Sequence, residues 1–274
     1  MTVTNAVETT MIWGTVSGAS MVGMVISLLL SVVLPIFLGI FIYKKTKAWV
    51  PAFFIGCGIF VGFAMILEQI CHAIVLTVTG SAIRDNIWLY AIYGGLAAAL
   101  FEECGRWIAM KFCLKKHLTR ENALMYGAGH GGIEAFLILG MSSMSNLLTA
   151  AMINGGLMEK TMTALEPAQQ EVTYHQLSVL WTTPAYQFYL APVERISAIA
   201  LQIALSILVY SAVKTGRKLQ LAAAFGLHFA VDFLTVVCAS TIPTWALELG
   251  LLVVVAVICA AVYKLVYVHS AEKK

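Results

Sequence analysis

At 274 residues, 60% of them hydrophobic and only 11% charged, with mean hydropathy +0.87, the chain is far from the quarter of charged residues usual in a soluble domain. That balance excludes a water-soluble globular enzyme and predicts an all-α, polytopic membrane protein forming one integral-membrane domain over residues 1–274. The net charge of +3 reports topology, and no nucleic-acid partner is read from it.

Residues 1–21, with Asn5, Glu8 and many Ser, Thr and Gly, read as an external lead-in. Apolar runs of roughly 20 residues, the length that crosses a bilayer, then predict seven spans: Val22 to Tyr43, Val50 to Leu76, Ile87 to Leu114, Asn122 to Ala150, Pro184 to Val213, Leu219 to Ala239 and Pro243 to Val268. The second carries Glu68 and His72, four residues apart and so on one helix face, a structural or water-facing pair. The only long connection, residues 154–183, is broken by Leu165-Glu166-Pro167. Beyond the break, Val172, Leu177, Leu180 and Trp181 suit the apolar face of a helix lying in the membrane interface. The fifth span holds an adjacent ion pair, Glu194 and Arg195, and Glu248 near the end of the last span reads as solvated.

Basic residues alternate in side. Lys44, Lys45 and Lys47 follow the first span, Lys111, Lys115, Lys116 and Arg120 separate the third and fourth, and Lys214, Arg217 and Lys218 separate the fifth and sixth. Lys264, Lys273 and Lys274 close the chain, and the other side has only Arg84 and Lys160. The expectation is an external N-terminus and a cytoplasmic C-terminus. No Lys or Arg precedes Lys44, so no basic leader of a cleaved signal peptide is expected. The six cysteines show no CxxC spacing and read as small apolar helix residues; Cys104, beside Glu103, is the one whose position invites a metal test.

The chemistry concentrates in three spans. The third contains Phe101-Glu102-Glu103-Cys104-Gly105-Arg106. The fourth contains Tyr126-Gly127-Ala128-Gly129-His130-Gly131-Gly132-Ile133-Glu134, and the sixth His228-Phe229-Ala230-Val231-Asp232. Glu102 and Arg106, His130 and Glu134, and His228 and Asp232 are each i, i+4 pairs on a single stripe. Glu102 lies 13 residues from Lys115, His130 lies 10 from Arg120 and His228 lies 10 from Lys218, so all three sit roughly 15 to 20 Å from the basic side at 1.5 Å per residue. Unpaired in lipid, the seven ionisable groups would cost on the order of 20 kcal/mol, more than the roughly 5 to 15 kcal/mol that holds a typical protein together. They must face one another, water or a metal. Two imidazoles with several carboxylates are the ligand chemistry of a catalytic zinc site, with a spare carboxylate as general base for water. Gly127, Gly129, Gly131 and Gly132 permit a close backbone approach, by a neighbouring helix or by an extended substrate.

These motifs resemble those of the CAAX-protease and bacteriocin-processing superfamily of intramembrane proteases. Its prenyl endopeptidases carry EExxxR, FxxxH and HxxxN, and its PrsW-like branch EExxK, FxxxE and HxxxD. The closest resemblance is to the YhfC-like bacterial intramembrane metalloproteases. It implies a multi-pass protein of the bacterial cytoplasmic membrane that acts on a membrane-embedded or membrane-associated peptide, with Zn2+ as the cofactor or a glutamate acting alone. Glu102 would be the general base, Glu103 an auxiliary carboxylate and Arg106 the group fixing both. His130 and His228 would bind metal or stabilise the oxyanion, with Glu134 and Asp232 as further ligands. Tyr126 in place of Phe, the shorter first motif and Asp232 in place of Asn depart from the prenyl-endopeptidase pattern. A proton-coupled transporter and a catalytically inactive scaffold are the competing readings.

Overall fold

The computed structural model describes residues 11–269; Asn5, Glu8, Lys273 and Lys274 lie outside that range. The described residues are helical and strand-free, with seven helices long and apolar enough to cross a membrane. These are α1 (Gly18–Thr46), α2 (Pro51–Thr79), α3 (Ile87–Cys113), α4 (Arg120–Asn154), α7 (Ala185–Thr215), α8 (Lys218–Ala239) and α9 (Thr244–Tyr267). Between α4 and α7 run two short helices, α5 (Leu157–Met162) and α6 (Pro167–Thr182). The chain is therefore a multi-pass membrane protein.

The helix boundaries follow local chemistry. Ser17, Asn86 and Thr119 cap α1, α3 and α4 by accepting backbone N–H groups of the first turn, which satisfies donors that have no partner within the helix. Pro51 and Pro167 open α2 and α6, where a missing N–H costs nothing. Gly216, at φ 74°, ends α7 in the left-handed conformation that a residue without Cβ adopts freely. Proline breaks the 154–183 connection where expected. In α6, Leu180 is buried while Leu177 and Trp181 pack with Trp13 and Val16, but Val172 stays exposed.

Large apolar side chains such as Val33, Phe37, Val253 and Val257 face outward from α1 and α9. Such a surface would be an aggregation liability in water and is the expected covering in lipid. Inside, α4 is the hub: it packs against α2, α7 and α1, while α8 packs on α3 and α9 on α7. The glycine run of α4 makes this possible. A Cβ on Gly129 would collide with the backbone carbonyl of Phe53 in α2, and one on Gly56 would strike the carbonyl of Tyr126. On the opposite side, a Cβ on Gly127 would come within 2.7 Å of the Ile203 Cα in α7. A neighbouring helix, not free space, occupies the approach that these glycines permit.

Because the obstacle at Gly129 is backbone rather than a movable side chain, Gly129→Ala must push two helices apart. The expected result is a loss of roughly 1 to 3 kcal/mol in stability, seen as a lower unfolding temperature of the purified protein. The control is Gly226→Ala, where a Cβ meets nothing within 4 Å.

Candidate active site

The carboxylates of α3 meet the imidazoles of α4 and α8 in the interior. Glu102 Oε2 lies 2.9 Å from His130 Nε2 and 4.0 Å from His228 Nε2. Glu103 Oε1 lies 2.8 Å from His228 Nδ1. Successive helix positions diverge by about 100°, so two adjacent glutamates would not both face histidines carried by a single neighbouring helix. Both do, because the histidines approach from different helices and on different sides. His228 is thus bracketed: Glu103 accepts at Nδ1, while Asp232 Oδ2 stands 3.5 Å from Nε2.

Arg106 supplies the fixed positive charge. It is fully buried; its guanidinium donates to both oxygens of Glu103 at 2.9 and 3.2 Å and to the side-chain oxygen of Gln202, and it lies 3.9 Å from Glu102 Oε2. Both bonds to Glu103 come from Nη1, while Nη2 serves Gln202, so two amino groups on one planar head hold two partners at once. His130 is equally sealed, with Tyr126 Oη 3.5 Å from Nδ1 and the Phe60 ring edge-on at 5.2 Å.

Gln202 of α7 was not singled out from the sequence. Its amide donates to Glu102 Oε2 at 2.9 Å and to Glu134 Oε2 at 2.8 Å, while its oxygen accepts from Arg106. Every hydrogen-bonding direction of the amide group that points inward is thus used to separate two carboxylates and tie them to one cation. Gln202 carries no charge, so a search for ionisable groups passes over it, although a buried amide needs partners just as they do. The signal available was its polarity in the middle of an otherwise apolar stretch.

Glu134 turns away from the histidines. Its Oε1 accepts from Arg195 at 3.1 Å, and Arg195 also pairs with Glu194. The pair in the fifth span is therefore not a separate cluster but the continuation of the site. Arg195 and Gln202 are seven residues apart, two turns along one face, and that face reads along the His130 and Glu134 stripe of α4. Glu248, expected to be solvated, is buried at 7% exposure. Glu68 is buried as well, 3.2 Å from His72 Nε2, and His72 Nδ1 lies 2.7 Å from the Tyr93 hydroxyl. Cys104 is exposed on the far side of α3.

A cavity of about 230 Å³ opens onto this network. Its walls include Glu102, Glu134, Gln202, His228 and Asp232. His130 does not reach it and stands behind Glu102.

Zinc takes nitrogen and oxygen ligands at about 2.0 to 2.2 Å in a tetrahedron, which sets neighbouring donor atoms about 3.3 Å apart. His130, Glu134, His228 and Asp232, the expected ligands, do not gather in that way, and no three His, Cys, Asp or Glu side chains do so among the described residues. The donor types suit zinc, but in this arrangement Glu134 is committed to Arg195 and Gln202, His130 to Glu102, and only His228 and Asp232 lie at a ligand-like spacing.

A seven-span helical bundle that encloses carboxylates, imidazoles and a guanidinium around an internal cavity is an integral membrane protein with a cluster of ionisable groups in its interior. The comparisons narrow the class. The family model described as YhfC intramembrane metalloprotease matches residues 30–259. A Bacillus subtilis (strain 168) protein described as an uncharacterized membrane protein YhfC is 41% identical over 222 residues, covering 78% of this chain and 83% of the relative. The chain belongs to the YhfC family. No solved structure matches.

Proposed function

We propose that the protein is an intramembrane peptidase in which Glu102 activates water against a peptide bond held in the cavity. The observation that carries this reading is the pairing of Glu102 with His130 and Gln202, which leaves it lining a cavity beside His228. A general base must be held in place yet reach its water, and Glu102 meets both demands.

The protein groups account for the proton movements. Glu102 takes a proton from water as the water oxygen bonds to the carbonyl carbon. The carbonyl oxygen gains negative charge, and His228 in its doubly protonated form, donating from Nδ1 to Glu103, presents an Nε2–H to the cavity as the donor positioned to stabilise it. When the C–N bond breaks, the proton held on Glu102 passes to the leaving amine nitrogen. His130, behind Glu102, fixes the carboxylate from the rear, and Arg106 holds Glu103 so that Glu103 holds His228. Hydrolysis in the half of the bilayer nearer the basic, cytoplasmic side is the location consistent with the depth of these residues in the sequence.

The test is proteomic and elemental on the same preparations. Wild type and His228→Ala, reconstituted in lipid with bacterial membrane proteins, are compared for newly formed peptide termini and for bound metal. New termini in wild type alone support the peptidase; their absence from both overturns it and favours a proton pathway, for which buried His and carboxylates also serve. Near-stoichiometric zinc lost in His228→Ala would put a metal, which the family description implies without specifying, at this site. Cleavage by metal-free protein would assign the reaction to Glu102 unaided.

A further inference from the structure

Along α4 the burial changes abruptly. Every residue from Met125 to Gly132 is buried, whereas Ile138, one turn past Glu134, is 49% exposed although it lines the cavity. Asp232 lines the same cavity from α8, and its side chain is 34% exposed. α8 packs on α3, α7 and α9, and α4 on α2, α7 and α1; the two helices that carry Ile138 and Asp232 do not pack along each other. The cavity therefore opens between them, on the side of the site away from the lysine-rich loops.

Two observations bear on what fills the opening. Asp232 lies 14 residues from Lys218, roughly 21 Å along the helix and so within an apolar layer about 30 Å thick. An ionisable side chain exposed at that depth faces water or a polar partner, because acyl chains would leave it unsolvated. Thr235, nearly one turn further along α8, also lines the cavity. In other spans Thr46, Thr77 and Thr215 bond back to the carbonyl one turn earlier. Thr235 and Asp232 make no hydrogen bond among the described residues. A carboxylate that accepts and a hydroxyl that both gives and accepts thus stand unmet at the opening.

We infer that the opening between α4 and α8 admits and holds an unwound stretch of the substrate peptide. Asp232 accepts a backbone N–H, Thr235 bonds the backbone beside it, and Ile138 packs on the opposite side. Unwound backbone in a bilayer persists only where protein or water satisfies its N–H and C=O groups, and this opening satisfies them next to Glu102 and His228. A closed helix gains nothing from the same groups, since its backbone is bonded internally. The inference rests on the peptidase reading for its occupant, and binding without cleavage separates the two.

The probe is a fluorescent Leu/Ala peptide of about 20 residues, long enough to cross a bilayer, made with and without three central glycines, which favour unwinding. Binding is measured to Glu102→Gln protein in lipid nanodiscs. The glycine form is expected to bind about tenfold tighter or more. Thr235→Val keeps the side chain's shape and removes the hydroxyl; it is expected to weaken binding of that form about threefold to tenfold, the fold-change of one lost hydrogen bond, and to leave the uninterrupted peptide unaffected. Photocrosslinking locates the peptide: p-benzoylphenylalanine placed at Ile138 or Thr235 is expected to capture the glycine form, and placed at Val253, exposed on the outward face of α9, to give no peptide adduct. Equal binding of the two peptides, no binding by either, Thr235→Val without effect, or capture at Val253 as strong as at the other two overturns the docking place. Cleavage by wild type with no capture at Ile138 or Thr235 would overturn it too, while leaving the peptidase intact. Capture at both by a protein that forms no new termini would uphold the docking and sink the peptidase.

Discussion

Replacing Glu102 by glutamine is expected to lower peptide hydrolysis by about 10² to 10⁴, the contribution typical of a positioned general base. The substitution is chosen because glutamine keeps the side chain's volume and leaves an oxygen to accept from the Gln202 amide, now 2.9 Å from Glu102 Oε2. What it removes is the capacity to take a proton. Glu103→Gln makes the informative comparison. It keeps an acceptor for His228 but weakens the Arg106 ion pair, in which Nη1 donates to both carboxylate oxygens, so it combines a smaller loss of rate with a loss of stability. The measurement is the cleavage rate of a reconstituted peptide alongside the unfolding temperature of each variant. A Glu102→Gln protein that cleaves at the wild-type rate would remove Glu102 from the reaction and leave His228, oriented by Glu103, as the base to test next.

Arg106→Leu is expected to be the most damaging single change to folding. Arg106 has no exposed surface and links Glu103, Gln202 and, at 3.9 Å, Glu102. Removing one partner of a buried ion pair costs roughly 3 to 5 kcal/mol, because the other charge stays behind unpaired. Here that charge is Glu103, with His228 as its only remaining neighbour able to donate. Arg106→Lys should recover part of the loss, since an ammonium restores the charge but cannot span both carboxylate oxygens and the Gln202 oxygen at once. Unfolding in detergent, followed by helix content, orders the three proteins; a leucine variant as stable as wild type would show the ion pair to be dispensable.

Much of this architecture is legible in the chain. The spans are long apolar runs whose insertion dominates local propensity, so their number and positions follow within a few residues. The meeting of Glu102, His130 and His228 could be anticipated because lipid penalises isolated charge, and equal depths from the basic loops bring three helices to one level. What depth counting leaves out is reach and rotation. Arg195 lies 19 residues from Lys214 and Glu134 only 14 from Arg120, and the long arginine side chain closes that gap. Glu248 was taken as solvated from its nearness to a helix end, but packing of α9 on α7 buries it. Gln202 escaped notice because it carries no charge, although its amide group bonds to Glu102, Glu134 and Arg106 at once. The motif glycines were open to two accounts, and helix contact proves to be what occupies them.

Cys104 follows Glu103 directly yet points out of the bundle, about 1.5 Å along the helix axis from the carboxylates. A reporter on its sulfur would therefore sit at the level of those carboxylates while lying on the exposed outer face of the helix. With the other exposed thiol, Cys113, replaced by serine, a nitroxide or fluorophore there becomes a ruler. Quenching by lipids tagged at known carbon positions would read off, in ångströms from the headgroups, the depth of the Glu102 and Glu103 carboxylates.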